Sequence, residues 1–236
     1  MGFDARCHGA RDRTRGGSDQ ILVVKGAMAK SRKLLDDAGV NLDSAARIRR
    51  AAIVLFRERG FHGTSVRQLG DAVEMESASL YYHYESKQAI LVDLFHHTMD
   101  ALIEGVEQAL SRQTGAVDKL RAAVLFHVHF HITHQDEAFI SHSELRALVD
   151  PHRDAIVAKR DRYERLFRDL LESGRREGLF AITDAALVTT AMLMMCSGVS
   201  DWFGSHGRLS ADTVAHQFAE MALRLVQASE KPVTQP

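Results

Sequence analysis

The chain has 236 residues, 45% hydrophobic and 26% charged, which is typical of a soluble globular protein with one medium-sized or two smaller domains. Its formal net charge of −1 excludes a generally basic nucleic-acid-binding surface, so any contact with DNA must be local. Two widely separated cysteines exclude a disulfide framework and a cysteine metal cluster. We find neither a signal peptide nor an apolar run near the roughly 20 residues that span a bilayer, and therefore expect a cytoplasmic protein without a membrane partner.

Residues 1–42 differ in composition from the rest of the chain. They are rich in arginine, lysine and glycine and lack an apolar periodicity. We interpret them as a basic, disordered extension. Two alternatives stay open: a translation start at Met28, or a basic arm that follows a minor groove of DNA.

Residues 43–89 are predicted to form a small helical domain. In its first helix Ile48, Ala52, Leu55 and Phe56 recur at three- and four-residue spacing and form one apolar stripe. Gly60 follows directly, where a helix end favours a residue that tolerates positive φ. The pattern therefore predicts a helix that packs on a core and ends at this glycine.

Two short helices and the start of a long one follow. Thr64 or Ser65 can cap the second helix by accepting a hydrogen bond from its free amides. After a tight turn, residues 77–83 form the third helix, with Leu80 directed to the core. Ser86 then caps a much longer fourth helix. Two short helices this close together predict a helix-turn-helix, in which one helix can enter a DNA groove.

Four stretches of this domain resemble one known family: Gly60-Phe61, Thr64-Ser65-Val66, Leu80-Tyr81-Tyr82-His83-Tyr84 and Ser86-Lys87. The amino-acid sequence of these stretches is similar to that of the tetracycline-repressor (TetR) family of bacterial transcription regulators. The resemblance implies an all-helical homodimer with a helix-turn-helix head and a larger ligand-binding body. It also implies binding to double-stranded operator DNA.

The resemblance implies which residues contact DNA, because members place the third helix in the major groove. Short side chains at its start approach base edges, and aromatic and basic groups near its end reach phosphates. Carried onto matching positions, the candidate contacts are Thr64, Arg67, Ser77, Ala78, Ser79, Tyr82, His83 and Lys87. Tyr81 and Tyr84 are expected mainly to pack.

Two residues of the turn depart from the family pattern. Glu74 stands where the family usually has glycine, and Glu76 stands where it has a serine or threonine cap. A non-glycine residue at positive φ costs about 1–2 kcal/mol. Two carboxylates beside DNA also oppose binding, unless one accepts a bond from a cytosine amino group. A degenerate head on a helical ligand-binding protein is therefore an alternative.

Residues 90–230 are predicted to be helical nearly throughout. Apolar periodicity extends the fourth helix from Ser86 to about residue 112, and five more helices follow, which makes about nine in all. Asp150-Pro151 is a strong start signal, with the aspartate as cap and the proline at the first helical position. No strand alternation and no catalytic or glycine-rich phosphate-binding pattern is found. We therefore expect an all-α protein that is not an enzyme and has no cofactor.

The histidines of the body give one alternative for its chemistry. His127, His131 and His134 share one face of a helix, and imidazoles one turn apart can chelate zinc or a similar metal. Without a matching cysteine or carboxylate ligand, histidines bonded to neighbouring groups inside the protein are the preferred explanation. A metal-responsive repressor is thus an alternative hypothesis, and no metal is assigned.

An apolar pocket is the other candidate for body chemistry. The residues that could line it are Phe126, Phe130, Tyr163, Phe167, Met192, Met195 and Trp202. The stretch from residue 143 to 210 is similar to the TetR subgroup that senses fatty acyl or other acyl-CoA thioesters. That resemblance implies an acyl-CoA or other hydrophobic effector, with Arg146, Arg153 or Arg162 near the CoA phosphates.

The last two predicted helices carry more apolar surface than a small body needs. One runs from Asp184 to about residue 203, and the other from Ser210 to about residue 228. In the TetR family the corresponding pair of helices packs against the same pair of a second subunit and forms a four-helix interface. We therefore expect a homodimer whose two heads read a palindromic operator as a ligand-released repressor.

Overall fold

A computed structural model describes residues 44–204 and 206–229. Within them the backbone forms ten α-helices and one short 3₁₀ helix, and no β-strand. The helices are α1 (Ser44–Arg59), α2 (Val66–Val73), α3 (Ser77–His83), α4 (Lys87–Ser111), α5 (Ala116–Thr133), α6 (Gln135–Ser143), α7 (His152–Arg176), α8 (Ala185–Ser197), α9 (Val199–Trp202) and α10 (Ala211–Leu225), with the 3₁₀ helix at Leu145–Ala147. The all-α prediction is confirmed. The nine expected helices are all present in the described part, and the eighth is divided at Gly198. The expectation for residues 1–42 lies outside the described residues.

Side-chain caps explain where several of these helices begin. Ser86 accepts a hydrogen bond from the Ala89 amide, and Asp184 and Ser210 cap α8 and α10 in the same way. The predicted cap of α7 is wrong. Pro151 itself occupies the cap position of this helix, which begins one residue later, at His152, without a side-chain cap bond.

Two hydrophobic clusters organise the described chain. The first is the core of the head, built from α1 to α3 and the N-terminal half of α4. It also includes Ile140, Leu148 and Ile156, which come from the segment from α6 to α7. The second cluster fills the body between α4, α5, α7, α8 and α10. The head therefore rests on the α6–α7 segment as well as on α4. The division at residue 89 stays a prediction.

An apolar surface is left exposed on the last helices. Leu187, Met194 and Trp202 on α8 and α9 are 67%, 73% and 58% exposed, and Met221 and Leu225 of α10 are 40% and 44% exposed. By length and composition alone the segment Ala185–Trp202 could cross a membrane, and 28% of it is buried in this single chain. A helix that packs against a partner subunit passes the same test. Several large apolar side chains exposed on neighbouring helices are typical of a surface that contacts another protein.

Candidate DNA-binding surface and candidate effector pocket

The third helix has one buried face and one open face. Leu80 is fully buried in the head core, while the five candidate contact residues of α3 are exposed. Tyr82 is 86% exposed, and its ring lies edge-on to His83 with centroids 5.3 Å apart. The helix is thus held in place by its buried face, while its exposed face is free to contact DNA. It can enter a major groove without moving any core side chain.

Thr64 does not have the predicted role. Its side chain is 1% exposed, and its hydroxyl lies 3.2 Å from the Leu55 carbonyl oxygen and 3.0 Å from that of Gly60. A hydroxyl buried in this way cannot reach a phosphate, so Thr64 fixes the loop between α1 and α2. Ser65 is the true cap of α2 and forms a capping box with Gln68. Arg67 in the first turn of α2 is exposed and remains a phosphate candidate.

Lys87 is also engaged inside the head. Its Nζ donates to the carbonyl oxygens of Phe61 and Thr64, each at 2.6 Å, and lies 4.2 Å from the centroid of the Phe61 ring. Burial lowers the pKa of Lys87, and the carboxylate of Glu144 acts in the opposite direction. Two of its three N–H groups are used in this way. Lys87 therefore ties α4 to the loop after α1, and only its third N–H is left for a DNA phosphate.

The turn before α3 has the predicted unusual geometry. Glu74 adopts φ 57° and ψ 42°, and Glu76 precedes α3 without a side-chain cap bond. Arg47 donates to the Val73 carbonyl oxygen at 2.8 Å and so satisfies the end of α2. The expectation that Tyr81 mainly packs is wrong, because it is 51% exposed on α3.

Asp93 on α4 positions the end of α3, a role that the sequence pattern did not reveal. Its carboxylate accepts from the Tyr84 hydroxyl at 2.6 Å and from Arg49 Nε at 2.9 Å. Burial and the bond to Asp93 raise the pKa of Tyr84, which therefore stays a neutral donor. The cluster connects α1, the end of α3 and α4.

The seven predicted pocket residues do not line one cavity. Phe130, Tyr163, Phe167 and Met192 are at most 7% exposed and belong to the body core. Phe126 and Met195 are partly buried against that core, and Trp202 is 58% exposed beside Phe218. The aromatic and methionine pattern was therefore mainly a core pattern. The pocket prediction is corrected for these residues.

An open groove of about 660 Å³ lies elsewhere, between α6 and the α8–α9 segment. Its lining residues are Phe139, His142, Ser143, Leu193, Met194, Ser197, Gly198, Ser200 and Asp201. The volume is that of a typical small-molecule site. The sequence pattern missed it because its apolar wall residues come from helices far apart in the chain and alternate with small and polar residues.

A buried chain of hydrogen bonds ends at the floor of this groove. Tyr163 Oη lies 2.7 Å from His127 Nδ1, and His127 Nε2 lies 3.0 Å from Ser197 Oγ. Burial lowers the pKa of His127 well below its ordinary value, with His131 and His142 acting in the same direction. Burial likewise raises the pKa of Tyr163. All three groups are thus neutral near pH 7, and Ser197 connects the chain to the groove.

Comparison with known proteins agrees with this architecture. The model of bacterial regulatory proteins of the tetR family matches residues 48–94, and that of the tetracyclin repressor-like C-terminal domain matches residues 113–226, together more than half of the chain. The TetR family transcriptional regulator PfmR from Thermus thermophilus is 30% identical. The similarity covers 75% of this chain and 97% of PfmR, with a TM-score of 0.70. This chain belongs to the TetR family.

Other TetR-family proteins are similar over most of their length. The transcriptional repressor KstR2 of Mycolicibacterium smegmatis is 27% identical over 183 residues, which is 76% of this chain and 88% of KstR2. AibR, whose structure was solved with isovaleryl coenzyme A and operator DNA, is 24% identical with a TM-score of 0.70. That similarity covers 79% of this chain and 100% of AibR, and it shows the shared fold. The chain is accordingly a DNA-binding transcription regulator of the TetR family and not an enzyme.

The three histidines proposed as metal ligands are not arranged as a site. Within the described residues no group of three or more His, Cys, Asp or Glu side chains could hold a metal ion. Both ring nitrogens of His127 are bonded to protein groups, and His134 Nδ1 lies 3.1 Å from the Phe130 carbonyl oxygen. The metal-responsive alternative is therefore not supported, because His127 and His134 use these ring nitrogens in internal hydrogen bonds.

Proposed function

We propose that this TetR-family regulator is a cytoplasmic, homodimeric repressor that a small-molecule effector releases from a palindromic operator. The observation that carries the proposal is the geometry of α3, with Leu80 fully buried and Tyr82 86% exposed. The similar protein KstR2 is named a transcriptional repressor, which supports repression over activation. The remaining DNA contacts are Arg67, Ser77, Ala78, Ser79, Tyr82 and His83, now joined by Tyr81.

The dimer supplies the second head that a palindrome requires. We place the interface on α8 and α10, because Leu187, Met194, Met221 and Leu225 are exposed there although they are large and apolar. If two copies pack against each other around a two-fold axis through this surface, these side chains become buried on both copies. Such packing would also explain why the segment Ala185–Trp202 is apolar in a regulator that acts on DNA.

The effector is proposed to be apolar, and an acyl-CoA thioester is one candidate. AibR shows that this fold accommodates isovaleryl coenzyme A together with operator DNA. Of the three arginines considered for CoA phosphates, Arg162 forms an ion pair with Glu107 at 2.6 Å, while Arg146 and Arg153 are exposed on the surface. A CoA moiety would therefore lie at the protein surface and leave only the acyl part for the interior.

Release requires that the effector prefer a conformation in which the heads no longer match the operator. To change the complex from mostly bound to mostly free, this preference must amount to about 5 kcal/mol. The head packs on α4 and on the segment from α6 to α7. A shift of either element can therefore rotate the head relative to the body. Arg57 of α1 lies 3.7 Å above the Phe139 ring of α6, and its Nε is 3.3 Å from an Asp136 carboxylate oxygen.

A mobility-shift titration with the DNA upstream of the protein's own gene tests the proposal. We expect a complex that is specific against random DNA and weakens as salt is raised. Tyr82→Ala should weaken specific binding about 10- to 100-fold through the loss of one well-placed contact of about 1–3 kcal/mol. Tyr82→Phe separates the hydroxyl from the ring, and Val149→Ala, at an exposed site of the body, is the matched control.

The opposite outcome would identify the head as degenerate. If Tyr82→Ala binds DNA as tightly as the wild type, or if the wild type shows no preference over random DNA, α3 does not read an operator. The carboxylates of Glu74 and Glu76 would then be the physical reason, because they repel phosphates next to this helix. The protein would remain a helical ligand-binding protein, and its pocket would be the route to its function.

A further inference from the structure

We propose that the groove between α6 and the α8–α9 segment binds a neutral, largely apolar small molecule that places one carbonyl or hydroxyl group against Ser197. The inference deepens the proposed function and rests on it, since this ligand would be the effector. Three features of the groove favour such a ligand: its charge, the hydrogen-bonding group that lines it and its contact with the head.

The charge of the lining selects an uncharged ligand. Phe139 and Leu193 give the groove its apolar walls, and Met194, which we also place in the dimer interface, lies at its edge. No lysine or arginine is among the lining residues. The single carboxylate, Asp201, disfavours an anion. A phosphate or a free fatty-acid carboxylate finds no permanently charged cation among these residues, and His142 is the one lining side chain that could become positive. Any charged part of the effector must lie outside the groove.

The floor offers one prearranged hydrogen-bonding group. His127 is held between Tyr163 and Ser197, and a neutral imidazole has one donor and one acceptor nitrogen. If Tyr163 donates to Nδ1, then Nε2–H donates to Ser197 and leaves its hydroxyl proton for the ligand. In the other tautomer Ser197 donates to Nε2, and its oxygen can accept from the ligand. In either tautomer Ser197 keeps bonding capacity on the side of the groove.

The groove also shares a wall with the contact between body and head. Phe139 lines the groove, and the Arg57 guanidinium of α1 lies 3.7 Å from the centroid of its ring. At the end of α6, Glu144 Oε1 accepts from the Phe61 amide at 3.2 Å. A molecule that displaces Phe139 or the end of α6 therefore acts directly on the head. This connection makes the groove suitable for an effector.

Nile red is a suitable probe, since it is uncharged, apolar and carries one ring carbonyl. We would titrate the full-length protein with it and follow both its emission and the quenching of Trp202, the single tryptophan of the chain, which directly follows Asp201. Saturable binding of one probe per chain is expected. The anionic probe anilinonaphthalene sulfonate should bind at least about tenfold more weakly.

Two glycine substitutions form a matched pair. Gly198 lines the groove, and a Cβ there would lie 3.5 Å from the Met194 carbonyl oxygen, an ordinary contact. Gly198→Leu should therefore fold, fill the groove and weaken Nile red binding at least about tenfold. Gly115→Leu is the control, because a Cβ at Gly115 meets nothing within 4 Å and the residue lies at the opposite end of α5 from α6. Its Nile red affinity should equal that of the wild type.

Operator binding without probe separates this proposal from the proposed function. Both glycine variants should keep wild-type operator affinity, so that a loss of Nile red binding cannot come from a damaged head. Unchanged Nile red affinity in Gly198→Leu would overturn the groove site while leaving the regulator intact. Absence of saturable binding by the wild type would also overturn it. If Gly198→Leu additionally dissociates the dimer in sedimentation, the groove is covered by the second copy instead.

Discussion

The head and the body differ in how completely their buried polar groups are hydrogen-bonded. In the head the buried Thr64 hydroxyl lies within hydrogen-bonding distance of two carbonyl oxygens, and Lys87 donates to two more. In the body three buried polar atoms have no hydrogen-bond partner within the described part of the chain: His131 Nδ1, Ser141 Oγ and Thr189 Oγ1. Each unsatisfied group of this kind costs about 1–3 kcal/mol.

This contrast fits the division of labour in a ligand-responsive regulator. A head that reads DNA needs one fixed shape, to which the bonds of Thr64 and Lys87 in its loops contribute. A body that responds to a ligand needs two arrangements of similar free energy. Groups that stay buried without a partner would raise the free energy of one arrangement and leave bonding capacity for another. The comparison thus predicts that the two regions respond differently to pH and to the same substitution.

Acidification should have the largest effect, and it should act on the body. Burial lowers the pKa of His131 from 6.5 to about 4, with His142 and His134 acting in the same direction. As the pH falls from 6.5 to 4, the unfolded chain binds a proton that the folded His131 does not. Stability is therefore lost over this window, by on the order of 3 kcal/mol for His131 alone. His127 adds to the loss in the same direction.

Urea unfolding at pH 7, 6, 5 and 4.5 measures this loss, and His131→Gln is the control. The variant cannot take up the proton, so its stability should fall less steeply with pH than that of the wild type. Other acid-sensitive groups affect both proteins equally and cancel in the difference. Equal pH slopes for the two proteins would mean that His131 titrates alike in the folded and unfolded chains.

Replacing a buried threonine by valine should have opposite consequences in the two regions. Thr64 and Thr189 are 1% and 0% exposed, and valine has nearly the same shape. Thr64→Val leaves the Leu55 and Gly60 carbonyl oxygens without this partner and should cost about 1–3 kcal/mol. Thr189→Val removes a hydroxyl that has no partner among the described residues, and it should be neutral or stabilising. Thermal unfolding of both variants beside the wild type measures the difference.

A comparable loss in both variants would show that the Thr189 hydroxyl has a partner in the dimer. Sedimentation of Thr189→Val separates this case from a local effect, because only the first changes the dimer's dissociation constant. The head would then no longer differ from the body in how completely its buried groups are bonded.

The fold of the head could be predicted almost completely from sequence. Apolar periodicity and caps are local signals, so Ile48, Gly60, Leu80 and Ser86 each have the predicted place. The roles of Thr64 and Lys87 could not be predicted in this way. A hydroxyl or an ammonium suits a phosphate and a carbonyl oxygen equally, and the distance to a carbonyl 9 or 26 residues away is a tertiary property.

The site in the body was not predictable for a related reason. Phe130, Phe167 and Met192 have the composition of a pocket wall, but the same residues fill a core, and only packing distinguishes the two. The groove instead depends on Gly198, where the apolar helix predicted from residue 184 to 203 is divided into α8 and α9. A glycine inside an apolar run indicates such a break only once the neighbouring helix is known.

The turn before α3 gives the smallest effect, and it tests whether the head is as well adapted as its bonding indicates. Glu74 has φ 57°, a conformation that costs a residue with a Cβ about 1–2 kcal/mol. Glu74→Gly should remove this strain and raise the stability by about 1 kcal/mol, since glycine also loses more chain entropy on folding. Glu74→Ala keeps the Cβ and with it the strain, so it should not be stabilised. If both variants gain equally, the carboxylate and not the backbone was unfavourable, and repulsion among the carboxylates around α3 is the stronger effect.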